Sequence, residues 1–137
     1  MTQKITDAQA MVAQMDPALD LVDYCFVMIT PDIAAQALGA AIATFREDEG
    51  VSAIIPAWLA QELGQAGPHF RRITLQVYSD LEGFGLTAAV AAALADAGIA
   101  CNMVAAFHHD HAFVPAGQAE AALAILQALS LAARGAI

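Results

Sequence analysis

A chain of 137 residues with 59% hydrophobic content is too apolar for disorder, and long enough to bury a core without disulfide or metal staples. With 14 acidic residues against 5 Lys and Arg its net charge is −9, which repels nucleic-acid phosphates and anionic lipid, so neither is expected as a partner. Thirty-four alanines raise the mean hydropathy without giving a run of about 20 apolar residues free of charge and Gly, so no membrane span is predicted.

Ile5, Ala8, Met11 and Val12 recur at helical spacing, with Thr6 or Asp7 as N-cap, and predict a helix over residues 5–14 that Asp16-Pro17 ends. Lys4, Asp7 and Asp16 interrupt this segment, which therefore lacks the apolar region of a signal peptide. Residues 23–29 are rich in β-formers and predict a buried strand. Thr30-Pro31-Asp32 makes a turn into a short helix, Ile33 to Leu38, ended by Gly39. Ala41 to Phe45 and Val51 to Ile55 read as two strands around the polar tip Arg46–Gly50. Pro56 suits the first position of a helix that runs to Leu63 and stops at Gly64.

Phe70 to Tyr78 alternates Ile73, Leu75 and Val77 onto one face, a half-buried strand. A loop over residues 79–85 leads to an Ala-rich helix, Leu86 to Ala97, with Gly98 as its stop. Ile99 to Phe107 reads as a strand, His108 to His111 as a tight turn, and Ala112 to Val114 as the return strand. Pro115 and Gly117 precede a long helix, Gln118 to about Ala133. Cys25 and Cys101 lie far apart with no CxxC, so the chain reads as reduced and cytoplasmic, with both thiols buried in strands.

The two halves share one order: strand, loop with an Asp, helix, hairpin, Pro, helix. Asp32 answers to Asp80, Phe45 to Phe107 and Pro56 to Pro115, with unequal spacings, so the repeat is architectural and has no fixed period. A βαββα unit lacks one strand of the βαββαβ arrangement. The other half, or a second chain, is expected to supply it and to cover the open edge. A homodimer is therefore expected.

Ile73-Thr74-Leu75, Ser79-Asp80-Leu81-Glu82, Gly85-Leu86-Thr87-Ala88-Ala89-Val90 and residues 98–107 together resemble an ACT domain. His109-Asp110-His111 followed by Phe113-Val114-Pro115 resembles one branch of that family, small bacterial proteins with two ACT domains in tandem. Asp16-Pro17, Tyr24-Cys25-Phe26, residues 43–47 and Glu49-Gly50 extend the likeness upstream. The branch is similar to the eukaryotic tandem-ACT arginine sensors. The resemblance implies an α+β fold of two ferredoxin-like ACT units in tandem, with antiparallel sheets and helices packed on one face. It divides the chain into an N-terminal, more divergent ACT-like domain, residues 1–67, and a C-terminal ACT domain, residues 68–137. It implies regulatory binding of a small molecule, usually an amino acid, and no reaction.

By spacing alone, Gly83 and Gly85 make a turn and Asp80 or Ser79 caps a helix. The same loop also ends at a helix N-terminus, where unpaired N–H groups suit an anion. The resemblance makes this the ligand loop. It assigns Ser79, Asp80, Leu81, Gly83, Phe84, Gly85 and Leu86 to the ligand, with Asn102 and Asp110 as further contacts. On this reading Gly85→Val spares the fold and blocks the ligand. Asn102 lies in an apolar stretch, where a buried amide needs a partner. His108-His109-Asp110-His111 could bind a metal, but neighbours on a strand point to opposite faces and no second cluster completes a coordination shell. Metal binding there is the alternative function, and a pure protein-interaction domain is another. No cofactor is expected. The carboxylates at residues 47–49 sit at a solvated tip with nothing to shift them toward catalysis, and no catalytic constellation occurs, so an enzyme is not expected.

Overall fold

The computed structural model describes residues 7–78 and 80–135. The chain forms two compact units. One holds the chain through Asp20 and again from Arg72 onward; the other is Leu21–Arg71.

The Leu21–Arg71 unit begins within strand β1 (Ala18–Met28). Helix α2 (Ala34–Ala40), strands β2 (Ala43–Glu47) and β3 (Gly50–Pro56) and helix α3 (Ala57–Glu62) follow. The strand order is β2-β3-β1, antiparallel, with Thr44 opposite Ala53 and Val27 opposite Ala53. Alternation sends Cys25 and Val27 of β1 and Ala53 and Ile55 of β3 to one face. There they pack against Ile33, Ala37, Ala57, Leu59 and Ala60 from the two helical segments. Phe26 and Met28 point the other way and stay half-exposed. The Cys25 thiol lies 3.8 Å from the Gly67 carbonyl.

Three local expectations shift here. Gly39 lies inside α2 and not at its end. Arg46 and Glu47 extend β2, so the hairpin tip shrinks to Asp48-Glu49, closed by Gly50 at φ +140°. Pro56 caps α3 from outside in an extended conformation, with the first helical residue being Ala57.

The other unit contains helix α1 (Ala8–Ala13), strand β4 (Phe70–Leu75, from Arg72 onward) and helix α4 (Leu86–Asp96). Strands β5 (Asn102–Ala105) and β6 (Asp110–Pro115), a 3-10 turn over Ala116–Gln118 and helix α5 (Ala119–Gly135) complete it. Its strand order is β4-β6-β5. Within it the Arg72 guanidinium donates to Asp20 at 3.0 Å, so the first residues of β1 border β4. Ile73 and Leu75 of β4 and Ala112 and Val114 of β6 meet Leu86, Val90 and Leu94 of α4 and Ala119, Ala122 and Leu126 of α5 in one core. Met11, Val12 and Met15 close that core from the N-terminal side. Each unit thus follows the strand-helix-strand-strand-helix order expected from the sequence, with helices on one face of an antiparallel sheet.

Helix α5 with its 3-10 turn is long and apolar enough to cross a membrane by length and composition. Its stripe of Ala119, Ala122, Leu126 and Ser130 is nevertheless buried, the spacing of a helix face turned to a protein core. Strand β5 is shorter than expected. After α4 the Ile99 N–H returns to the Leu94 carbonyl at 2.9 Å, and the chain through Cys101 is connection. Cys101 is consequently half-buried and outside the strand, unlike buried Cys25; burial raises its thiol pKa. The β5–β6 turn is closed by the Ala106 N–H on the His109 carbonyl at 3.0 Å, which leaves Asp110 and His111 in β6.

Candidate functional site

The loop after β4 is shaped by its own backbone. Buried Val77 pins the chain as it leaves the strand. The Asp80 carboxylate then accepts the Glu82 N–H at 3.0 Å and the Asp80 carbonyl accepts the Gly83 N–H at 2.9 Å, an Asx turn. Asp80 is therefore not the cap of α4. That place belongs to Gly85, at φ +105°, whose carbonyl accepts the Ala89 N–H at 2.9 Å and which has no side chain to cap the first-turn amides.

A cavity of about 410 Å³ lies against this loop. The loop supplies Asp80, Gly83, Phe84 and Gly85. Leu86, Thr87 and Ala88 of α4, Asp110 of β6 and Met11 of α1 complete the wall. Asp80, Gly83, Phe84, Gly85, Leu86 and Asp110 of the expected set thus come together. Leu81 does not line the cavity and is 66% exposed. Ser79 lies outside the described residues. Asn102, expected to be buried, is the exposed first residue of β5, opposite Phe113, and does not line the cavity. Met11, Thr87 and Ala88 were missed. Thr87 and Ala88 follow the loop directly and could have been included as the first turn of the helix. Met11 carried only the signal of a helical core stripe.

Gly85 also corrects an expectation. A Cβ built there would stand 2.5 Å from the Ala8 Cβ, and φ is in the left-handed region. A side chain at this position collides with α1 before it meets any ligand.

The histidines of the β5–β6 turn make ring and hydrogen-bond contacts. His109 stacks on Tyr78 with centroids 5.0 Å apart and donates toward the Val77 carbonyl at 3.4 Å. His108 stands edge-on to Phe107 at 5.0 Å. His111 Nδ1 lies 2.9 Å from Thr74 Oγ1. Among the described residues no three His, Cys, Asp or Glu groups gather as a metal set.

Burial lowers the His111 pKa below its ordinary 6.5, with help from the Arg72 and His109 charges and against the pull of Asp110. A folded pKa below the unfolded one gives stability that is present above pH 6.5 and lost as pH falls through the lowered value. Urea denaturation at pH 7.5 and at about pH 5.5 should show the acid loss, and His111→Gln should reduce it. An equal loss in both proteins would remove His111 from the acid response.

Residues 4–68 and residues 69–128 each match an ACT domain model. A crystal structure from Vibrio cholerae, of a protein of unknown function described as a possible transport protein, is 40% identical. The match covers 87% of this chain and 92% of that one, with a TM-score of 0.76. The regulatory subunits of aspartate kinase from Thermus flavus and Thermus thermophilus are 18% and 19% identical, with TM-scores of 0.59 and 0.60. Each of these matches covers 82% of this chain and 95% of theirs, and they share the fold. No curated protein matches the chain. ACT domains are regulatory ligand-sensing modules. The two models, which between them span residues 4–128, and the 40% identical relative show that the chain belongs to the ACT-domain family, as two ACT domains in tandem.

Proposed function

We propose that this protein is a non-enzymatic, cytoplasmic regulatory module that binds an amino acid in the cavity beside the Asp80–Leu86 loop. The observation that carries the reading is that cavity: apolar Met11, Phe84 and Leu86 surround the start of α4, and among the described residues Asp80 and Asp110 are the charged side chains that line it. First-turn amides at the positive end of an 11-residue helix suit the ligand carboxylate. Asp80 receives the ammonium. Residues 1–67 and 68–137 are the two ACT domains in this reading, a division supported by the limits of the two family models. The working form is a homodimer, supported by β2 and β5, each of which, among the described residues, pairs on one side only. Light scattering at micromolar concentration is expected to give twice the chain mass, and a monomer mass would refute the assembly.

A thermal-shift screen of the twenty amino acids tests the ligand. Occupancy at 100 times Kd adds about 2.7 kcal/mol to the folded state. No shift at millimolar concentration sinks the reading. Asp80→Asn isolates the charge, because Asn still forms the Asx turn. It should leave the denaturation curve within about 0.5 kcal/mol while binding weakens by about 2–4 kcal/mol. Unchanged affinity would move the ammonium elsewhere.

A further inference from the structure

The floor of the cavity comes from outside the repeated strand-helix unit. Met11 lies on α1, a helix of six residues, too short to persist alone. It is held at both ends. At its C-terminus the Ala13 carbonyl accepts from Ser130 Oγ at 2.9 Å and from Arg134 Nε at 2.7 Å, both on α5. At its N-terminus Ala8 rests on Gly85, the residue that starts α4 at the cavity, so closely that a Cβ has no room there. Between these anchors Met11 is 1% exposed, with its outer surface forming part of the cavity wall.

We propose that α1 is a component of the ligand site: Met11 limits how far the ligand's side chain reaches, and ligand occupancy and docking of α1 are one coupled equilibrium. This rests on the cavity being the amino-acid site. Coupling is reciprocal, so a ligand that touches Met11 holds α1 down as firmly as docked α1 favours the ligand.

The test uses the full chain and the twenty free amino acids as probes. Titration of the wild type and of Met11→Ala gives the ratio of Kd values for shorter and longer side chains. Removing the floor should shift that ratio toward longer side chains by about tenfold or more, since one methylene in an apolar pocket is worth about 10–200-fold. Met11→Val, shorter but still apolar, reads the same ratio if the alanine variant does not fold. Amide exchange over residues 8–13 of the wild type, with and without the tightest-binding amino acid of that panel, reads the coupling directly and should slow on binding. Ratios unchanged within about twofold, or α1 exchange indifferent to a bound amino acid, overturn the proposal while leaving the amino-acid reading intact. If no amino acid binds the wild type, both fall.

Discussion

Gly85→Val is expected to cost about 2–6 kcal/mol of folding stability, from two sources that add. A β-branched residue forced to φ +105° carries strain of about 1–3 kcal/mol. Its Cβ also lands 2.5 Å from the Ala8 Cβ, and overpacking of this kind costs about another 1–3 kcal/mol. Gly98→Val is the control. Gly98 has φ +74° and nothing within 4 Å of a built Cβ, so that variant reports strain without collision. Urea denaturation of both should rank Gly85→Val well below Gly98→Val, and equal losses would mean that α1 moves aside at negligible cost. Any loss of binding in Gly85→Val must then be judged against this loss of fold, which makes Asp80→Asn the cleaner probe of the ligand.

Leu126→Ala should destabilise the chain by about 2–5 kcal/mol. Leu126 is completely buried on α5, in the core shared with Leu94 and Val90 of α4 and Val114 of β6. Truncation removes its transfer energy and leaves a cavity that neighbours on a helix and a strand cannot both relax into. Leu131 lies on the same helix but is 64% exposed, so Leu131→Ala should change stability by less than about 0.5 kcal/mol. The contrast between the two identical chemical changes carries the test; a loss below about 1 kcal/mol at Leu126 would deny α5 its place as a core helix.

The order of elements was legible because alternation, Pro and Gly punctuate both halves in the same way. Ile73, Leu75 and Val77 alternate onto a buried face, and Pro56 and Pro115 each end a hairpin before a helix. Boundaries were less legible where a residue serves more than one conformation. Gly39 is a helix stop by propensity, yet tertiary packing of Ala37 carries α2 past it. Asn102 sits among apolar residues in sequence, but its side chain faces solvent, and neighbours in a strand share composition without sharing a face. In the candidate site, the Gly pair before an Ala-rich helix marked only a turn, and it was the resemblance to ACT domains that made it the expected ligand loop. Met11 was not, because about 75 residues separate it from Gly85 and its pattern is that of any core position. The cap role weighed for Asp80 beside its ligand role does not hold, because an Asx turn and an N-cap use the same side chain in the same kind of sequence.

The division into compact units also sets an order of events during synthesis. Leu21–Arg71 is contiguous, so all of its partners have emerged before the chain is much past its midpoint. The other unit is assembled from both ends of the chain, and Met11, Val12 and Met15 find their core only once Leu94 and Leu126 have been made. Contacts spanning more than 100 residues, such as Ser130 on Ala13, make its closure the slow step. Until then the apolar face of α1 lacks the core it belongs to. Ribosome-bound chains that stop before α5 should therefore protect the Leu21–Arg71 amides while leaving those of α1 open to exchange.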